Sequence, residues 1–98
     1  MVFESSKTTK IVDLPRNLLD FNLSKVVLPK SLTSLDLQHN KIFGGLLVEL
    51  TKLNLQYLNV SYNRLCGHIP MGGKLQSFDY STYFHYRCLC GSPLPSYK

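Results

Sequence analysis

The sequence predicts a stack of short parallel β-strands built from a repeated unit of 23 residues. Three windows show the repeat: TKIVDLPRNLL (9–19), LTSLDLQHNKI (32–42) and LQYLNVSYNRL (55–65). When the windows are aligned, apolar residues fall at the same positions, and an asparagine recurs as Asn17, Asn40 and Asn63. A fixed period of about 20 to 50 residues is typical of repeat architectures, in which each unit packs against its neighbours.

The spacing of the leucines identifies the kind of repeat. The second and third windows match the pattern L-x-x-L-x-L-x-x-N-x-L at every fixed position, and the first differs in having Thr9 at the leading position. We therefore predict a leucine-rich repeat solenoid with short parallel strands on its concave face and irregular or 3-10 return segments. We predict an irregular amino-terminal remnant over residues 1–8, about three repeats over 9–78 and a C-terminal cap over 79–98.

Alternation within each window predicts which side chains face the core. Leu35 and Leu37 in one repeat, like Leu58 and Val60 in the next, point to one face of a strand, and the residues between them point outward. The recurring asparagine lies where the chain turns inward, and its amide can both donate to and accept from buried backbone groups. We therefore expect Asn17, Asn40 and Asn63 to form a buried structural ladder.

Charge and composition exclude several functions. The formal net charge is +5, but the lysines are spread over all repeats, so a nucleic-acid-binding stripe is not predicted. Weak attraction to acidic pectin is compatible with this charge. No apolar run is long enough for a membrane span, and the start MVFESSKTTK has no apolar core for a signal peptide. No nucleophile motif or paired acid and base is present, so neither an enzyme nor a cofactor is predicted.

Cysteines and sequons point to an extracellular chain. Three cysteines, Cys66, Cys88 and Cys90, allow one disulfide and one remaining thiol. A zinc site using these cysteines with His68 and His85 is the alternative, but the C-x-C spacing does not favour it. The tripeptides at Asn22 (NLS) and Asn59 (NVS) fit the N-glycosylation pattern.

The sequence resembles the carboxy-terminal part of plant polygalacturonase-inhibiting proteins. The resemblance is carried by LTSLDLQHNKI, LQYLNVSYNRLCGHIP and GGKLQSFDYSTYFHYRCLCGSPLPS, which includes the plant-type G-x-I-P at residues 67–70. It implies a secreted cell-wall protein that binds a fungal endopolygalacturonase through its concave strand face. It also implies a Cys66–Cys88 disulfide in the cap.

Two departures from the family pattern carry expectations of their own. Tyr97 lies near the place of the cysteine that would pair with Cys90, so Cys90 is expected to be an unpaired thiol. The family has about ten repeats, so the chain is expected to be a truncated form whose first repeat exposes Val12 and Leu14. A receptor-like ectodomain fragment and a non-functional structural remnant are alternatives, while ice recognition is disfavoured by the varied sizes of the outward side chains.

The predicted protein-binding residues are the outward positions of the strands and the turns after them. Such mixtures of hydrogen-bonding groups, rings and an arginine suit protein recognition. Eight residues form the candidate set: Asp13, Arg16, Asp36, Gln38, His39, Asn59, Ser61 and Tyr62.

Overall fold

The computed structural model describes residues 10–84 and 88–94. The predictions made for residues 1–8, His85 and Tyr97 therefore fall outside the described residues. The described chain contains six strands: β1 (Ile11–Asp13), β2 (Ser34–Asp36), β3 (Phe43–Gly44), β4 (Tyr57–Asn59), β5 (Arg64–His68) and β6 (Cys88–Cys90).

The first sheet is parallel and has the order β1-β2-β4. Val12 pairs with Leu35, and Leu35 pairs with Leu58, so neighbouring strands are related by the 23-residue repeat. These three central residues are buried and their strand neighbours are more exposed, as the alternation predicts. The backbone ladder continues past each strand, for example from Leu37 N to the Asn59 carbonyl at 2.8 Å.

A second parallel sheet, β3-β5-β6, was not predicted from the sequence. Phe43 pairs with Arg64, and Cys66 pairs with Cys88. Each of the two later repeats therefore supplies two strands, one to each sheet. In this second sheet Gly44 has a φ of +86°, and an added Cβ there would collide with the Asn22 side chain, so only glycine fits.

Within the described residues, three 3-10 helices lie in the return segments and the cap: Leu23–Lys25, Val48–Lys52 and Tyr80–Tyr83. Asn22 caps the first, because its Oδ1 accepts from the Ser24 backbone N–H, and Asp79 caps the third in a similar way. Within the described residues no helix is both long and apolar enough to cross a membrane.

One apolar core runs between the strands and the return segments. Each repeat contributes the same kinds of side chain, so leucines stack upon leucines along the chain of repeats. The fully buried members include Leu23, Leu32, Leu35, Leu37, Leu50, Leu55, Leu65 and Leu75. Burying one such side chain contributes about 1.5 to 3 kcal/mol, so this stack is the main source of stability.

Asn40 and Asn63 join each repeat to the one before it. Asn63 Oδ1 accepts from the Ile42 N–H at 3.0 Å, and its Nδ2 lies 2.8 Å from the Leu37 carbonyl oxygen. Asn40 repeats the arrangement one period earlier, with Nδ2 donating to the Leu14 carbonyl at 2.9 Å. Both asparagines are buried. Their amides therefore satisfy backbone groups that the strands and helices leave unpaired.

The expectations for the first repeat need correction. Asn17 is exposed, and its Nδ2 donates only to the nearby Pro15 carbonyl at 3.0 Å, although its backbone N–H donates to Asn40 Oδ1. No earlier repeat among the described residues offers carbonyls for the Asn17 amide to bind. Val12 is buried and Leu14 is half-buried, so this repeat does not expose them as expected.

The segment after the last repeat follows the same ladder. Val60 N–H donates to the Thr82 carbonyl at 2.9 Å, and Tyr62 N–H donates to the Phe84 carbonyl at 2.8 Å. Tyr83 is completely buried, and its hydroxyl donates to the Leu75 carbonyl at 2.8 Å. The backbone that directly follows β4 is thereby paired, which reduces the open edge at this end of the sheet.

We expect Asn63→Ala to lower the free energy of unfolding by about 3 kcal/mol, because the buried Ile42 N–H loses its acceptor and several carbonyls lose a donor. The matched substitution Asn17→Ala should cost less than about 1 kcal/mol, since that amide is exposed. Urea unfolding measures both. Equal losses would contradict the structural role given to Asn63.

Burial raises the pKa of Tyr83 well above its ordinary value of about 10. The folded state therefore favours the neutral phenol, and the contribution of Tyr83 to stability is complete below about pH 10 and is lost as the pH rises further. We expect Tyr83→Phe to flatten the decline in melting temperature above pH 10, whereas Tyr80→Phe, at an exposed position, should leave the decline unchanged. Thermal melts across this pH range test the difference.

Candidate protein-interaction surface

The outward side chains of the first sheet form rows across the strands. Asp13, Asp36 and Asn59 are register partners, so they lie side by side. Ile11, Ser34 and Tyr57 form a second row that the sequence-based set omitted, although alternation places them outward as well. Ile11 is 64% and Tyr57 44% exposed, so this second row adds apolar and aromatic area.

Hydrogen bonds hold the polar side chains of these rows in place. Gln38 Nε2 lies 3.1 Å from both carboxylate oxygens of Asp36, and the Gln38 backbone N–H donates to Asp36 Oδ1 at 3.2 Å. Tyr57 Oη is 3.5 Å from Asp36 Oδ2 and 3.4 Å from Asn59 Nδ2. Asp36, Gln38, Tyr57 and Asn59 therefore form a connected polar network, and a partner would meet it with little further loss of side-chain entropy.

A second feature is the column of turn residues after the strands. Arg16, His39 and Tyr62 recur at the 23-residue period, and all three have left-handed backbones with φ of 56°, 57° and 59°. The His39 and Tyr62 rings stack with their centroids 4.1 Å apart and their planes 10° apart. Such conformations are uncommon outside glycine and cluster at functional sites.

A shallow depression of about 410 Å³ lies beside this column. Lys41 and Arg64 contribute two positive charges to its lining, next to the His39–Tyr62 stack and the exposed Leu18. Acidic groups of a partner would be attracted there.

Ser61 does not belong to the binding set and was predicted wrongly. Its exposed fraction is 4%, and its hydroxyl donates to Asn59 Oδ1 at 2.6 Å. The strand ends at Asn59, and the segment from Thr82 to Phe84 runs beside Val60 and Tyr62 through backbone hydrogen bonds. Ser61 is therefore covered where simple alternation would expose it.

We call the resulting surface the strand face. Its members are the side chains of the two strand rows and the turn column, together with Gln38, all of them exposed or partly exposed: Ile11, Asp13, Arg16, Ser34, Asp36, Gln38, His39, Tyr57, Asn59 and Tyr62. The strand face offers carboxylates, amides, rings and an arginine, which is a composition typical of protein-recognition surfaces.

The cysteines lie on the second sheet, away from the strand face. Cys66 and Cys88 are register partners joined by a disulfide, with Cα atoms 4.2 Å apart. Cys90 is a free, exposed thiol whose Sγ lies 3.5 Å from His68 Nδ1. Since two of the three thiols are bonded to each other, they are not available as zinc ligands. Residues 10–84 and 88–94 contain no group of three or more His, Cys, Asp or Glu side chains placed to hold a metal ion.

The two sequons share one local geometry. Asn22 Oδ1 accepts from the hydroxyl of Ser24, and Asn59 Oδ1 accepts from that of Ser61, each at 2.6 Å. Glycosylation at Asn22 and Asn59 stays a prediction. Because Asn59 belongs to the strand face, a glycan there would compete with a protein partner.

Comparisons with known proteins identify the same repeats in the sequence. Residues 31–53 and 54–73 match the family model described as Leucine Rich Repeat. The chain is 70% identical to a polygalacturonase inhibitor of Pyrus communis over 98 residues, which are 100% of this chain and 30% of that relative. It is 58% identical to polygalacturonase inhibitor 1 of Arabidopsis thaliana over 94 residues, which are 96% of this chain and 28% of that relative.

A solved structure shows the same fold. The crystal structure of a plant ice-binding protein is 56% identical, has a TM-score of 0.85, and matches 88% of this chain and 28% of its own. The predicted leucine-rich repeat fold is thereby confirmed. The chain spans about 30% of the length of the curated relatives that it matches.

We expect loss of the Cys66–Cys88 disulfide, in Cys66→Ser/Cys88→Ser, to lower the free energy of unfolding by about 3 kcal/mol. The bridge closes a loop between residues 22 positions apart, which restricts the unfolded chain. Cys90→Ser, which removes an exposed free thiol, is the matched control and should change stability by less than about 0.5 kcal/mol. Chemical unfolding with and without reductant measures both, and an equal effect of the two variants would contradict the assignment.

Proposed function

We propose that this chain, which has a leucine-rich repeat fold and resembles the carboxy-terminal portion of plant polygalacturonase inhibitors, binds a fungal endopolygalacturonase in plant defence. The strand face is the proposed contact surface. In the intact repeat stack it would form the concave side. The observation that carries the proposal is the strand face itself, where the stacked rings of His39 and Tyr62 and the exposed Arg16 lie beside a hydrogen-bonded network of amides and carboxylates. The polygalacturonase inhibitor names of the relatives supply the identity of the partner.

The mode of action follows from binding and needs no chemistry by this chain. A module that covers the substrate cleft of a pectin-degrading enzyme lowers turnover by excluding the polymer. Aromatic and arginine side chains contribute most to such contacts, so Tyr57, Tyr62 and Arg16 are the proposed anchors. Asp13, Asp36 and Asn59 supply hydrogen bonds that fix the orientation.

An extracellular, cell-wall location is part of the same proposal. The Cys66–Cys88 disulfide supports it, because structural disulfides persist in oxidising compartments. Weak contact with pectin is a second component, supported by Lys41 and Arg64 in one depression. Contacts between such exposed charges weaken with added salt.

Binding should be measured apart from inhibition, because the relatives are longer than this chain. We expect the immobilised 98-residue chain to bind a fungal endopolygalacturonase in solution, and Tyr57→Ala with Arg16→Ala to weaken the affinity by at least about tenfold. Biolayer interferometry gives the affinity, and release of reducing ends gives the inhibition.

Glu49→Ala is the matched control, since Glu49 is exposed on a return segment and lies off the strand face. A cooperative thermal melt of each variant shows that it is folded, and it would also contradict a structural remnant. Absence of binding by a folded chain at micromolar concentration, or equal loss in the Glu49 variant, would overturn the proposed use of the strand face.

A further inference from the structure

A groove lies between the return segments of the first two repeats, outside the strand face. It has a volume of about 630 Å³ and is lined by residues from 24–30 and 47–53. These segments carry the first two 3-10 helices and not the strands of either sheet. The proposed protein contact through the strand face does not involve this groove.

The floor of the groove is apolar. Val26, Leu47 and Leu53 are nearly buried at its base, and Leu28 is half-buried beside them. Val27 also lines the groove and is 61% exposed. The side chain of this valine therefore exposes apolar surface at the mouth of the groove. A ligand with a hydrocarbon part would bury that surface, which favours binding.

The charged groups of the groove are predominantly positive. Lys25, Lys30 and Lys52 line it and are exposed, while Glu49 is the single carboxylate among its lining residues. Three positive charges against one negative charge favour an anionic group on the ligand.

The size of the groove favours a small molecule. Ligand sites for small molecules have volumes of about 300 to 1,000 Å³ and combine apolar walls with a few polar groups that fix orientation. A protein partner would instead need a far larger contact area. The groove therefore combines the volume, the apolar floor and the charged rim of a site for a small amphiphile.

We propose that this groove binds an amphiphilic carboxylate, a small molecule with a hydrocarbon chain that ends in a carboxylate. The hydrocarbon chain lies on the floor formed by Val26, Leu47 and Leu53. The carboxylate accepts hydrogen bonds from the ammonium groups of the lysines at the rim. The site is independent of the proposed recognition of an endopolygalacturonase, because it shares no residue with the strand face.

The probe for this site is dodecanoate, kept below its micelle concentration and added to the full chain. Amide shifts in a nitrogen-15 NMR titration should be confined to residues 24–30 and 47–53. Lys25→Gln/Lys30→Gln/Lys52→Gln should weaken the affinity by about tenfold, because it removes all three positive charges of the rim. Lys10→Gln, which removes an exposed lysine that lines neither this groove nor the depression beside the turn column, should leave the affinity unchanged.

Two further ligands separate the contributions of head group and chain. Dodecyltrimethylammonium should bind at least about tenfold more weakly than dodecanoate, since its charge is opposed by the rim. Hexanoate should also bind at least about tenfold more weakly, because its shorter chain buries less apolar area on the floor of the groove. Val27→Ser, at an exposed position, should reduce the affinity for dodecanoate without affecting folding.

The inference is overturned if dodecanoate gives no shifts, or gives shifts that map outside the two segments. It is equally overturned if the triple lysine variant, shown to be folded by its thermal melt, binds as tightly as the parent chain. Neither result bears on endopolygalacturonase binding, which is measured through the strand face.

Discussion

The fold depends on the side-chain amides of Asn40 and Asn63, which bind backbone groups of their own repeat and of the repeat before it. The strands are short, so the turns that follow them contain buried N–H and C=O groups that the sheets do not pair. Each unpaired buried group lowers the free energy of unfolding. One amide supplies both a donor and an acceptor at that point, so turns can be buried at every period. The buried leucines of neighbouring repeats then pack against these turns. The strands are thereby held in register, and so is the strand face that they carry.

The repeat could be predicted from the sequence because its signals are local. Leu35 and Leu58 are buried and aligned as the alternation predicts, since a buried face of a strand tolerates little else. The second sheet could not be predicted in this way. Phe43–Gly44 is a two-residue strand that exists through pairing with β5, and two residues are too few to show a period.

The candidate site was predicted in part for related reasons. Alternation identified the row of Asp13, Asp36 and Asn59, and the same rule applied one step earlier would have found Tyr57. The alternation rule failed at Ser61, because that position is covered by a segment more than 20 residues away in sequence. No local sequence pattern predicts the path of such a segment. The prediction for Asn17 was wrong for a different reason. Its position in the sequence matches the asparagine ladder, but among the described residues no earlier repeat supplies carbonyl groups for its amide to bind.

The left-handed turn column of Arg16, His39 and Tyr62 has a consequence for how such a surface can diversify. The backbone N–H of each of these residues donates to the next unit, at 3.0, 3.0 and 2.8 Å, so the conformation is maintained by main-chain groups whatever the side chain is. Three unlike side chains, a guanidinium, an imidazole and a phenol, already occupy equivalent places. Mutation can therefore exchange these outer groups and change which molecule is recognised while the architecture beneath is inherited intact.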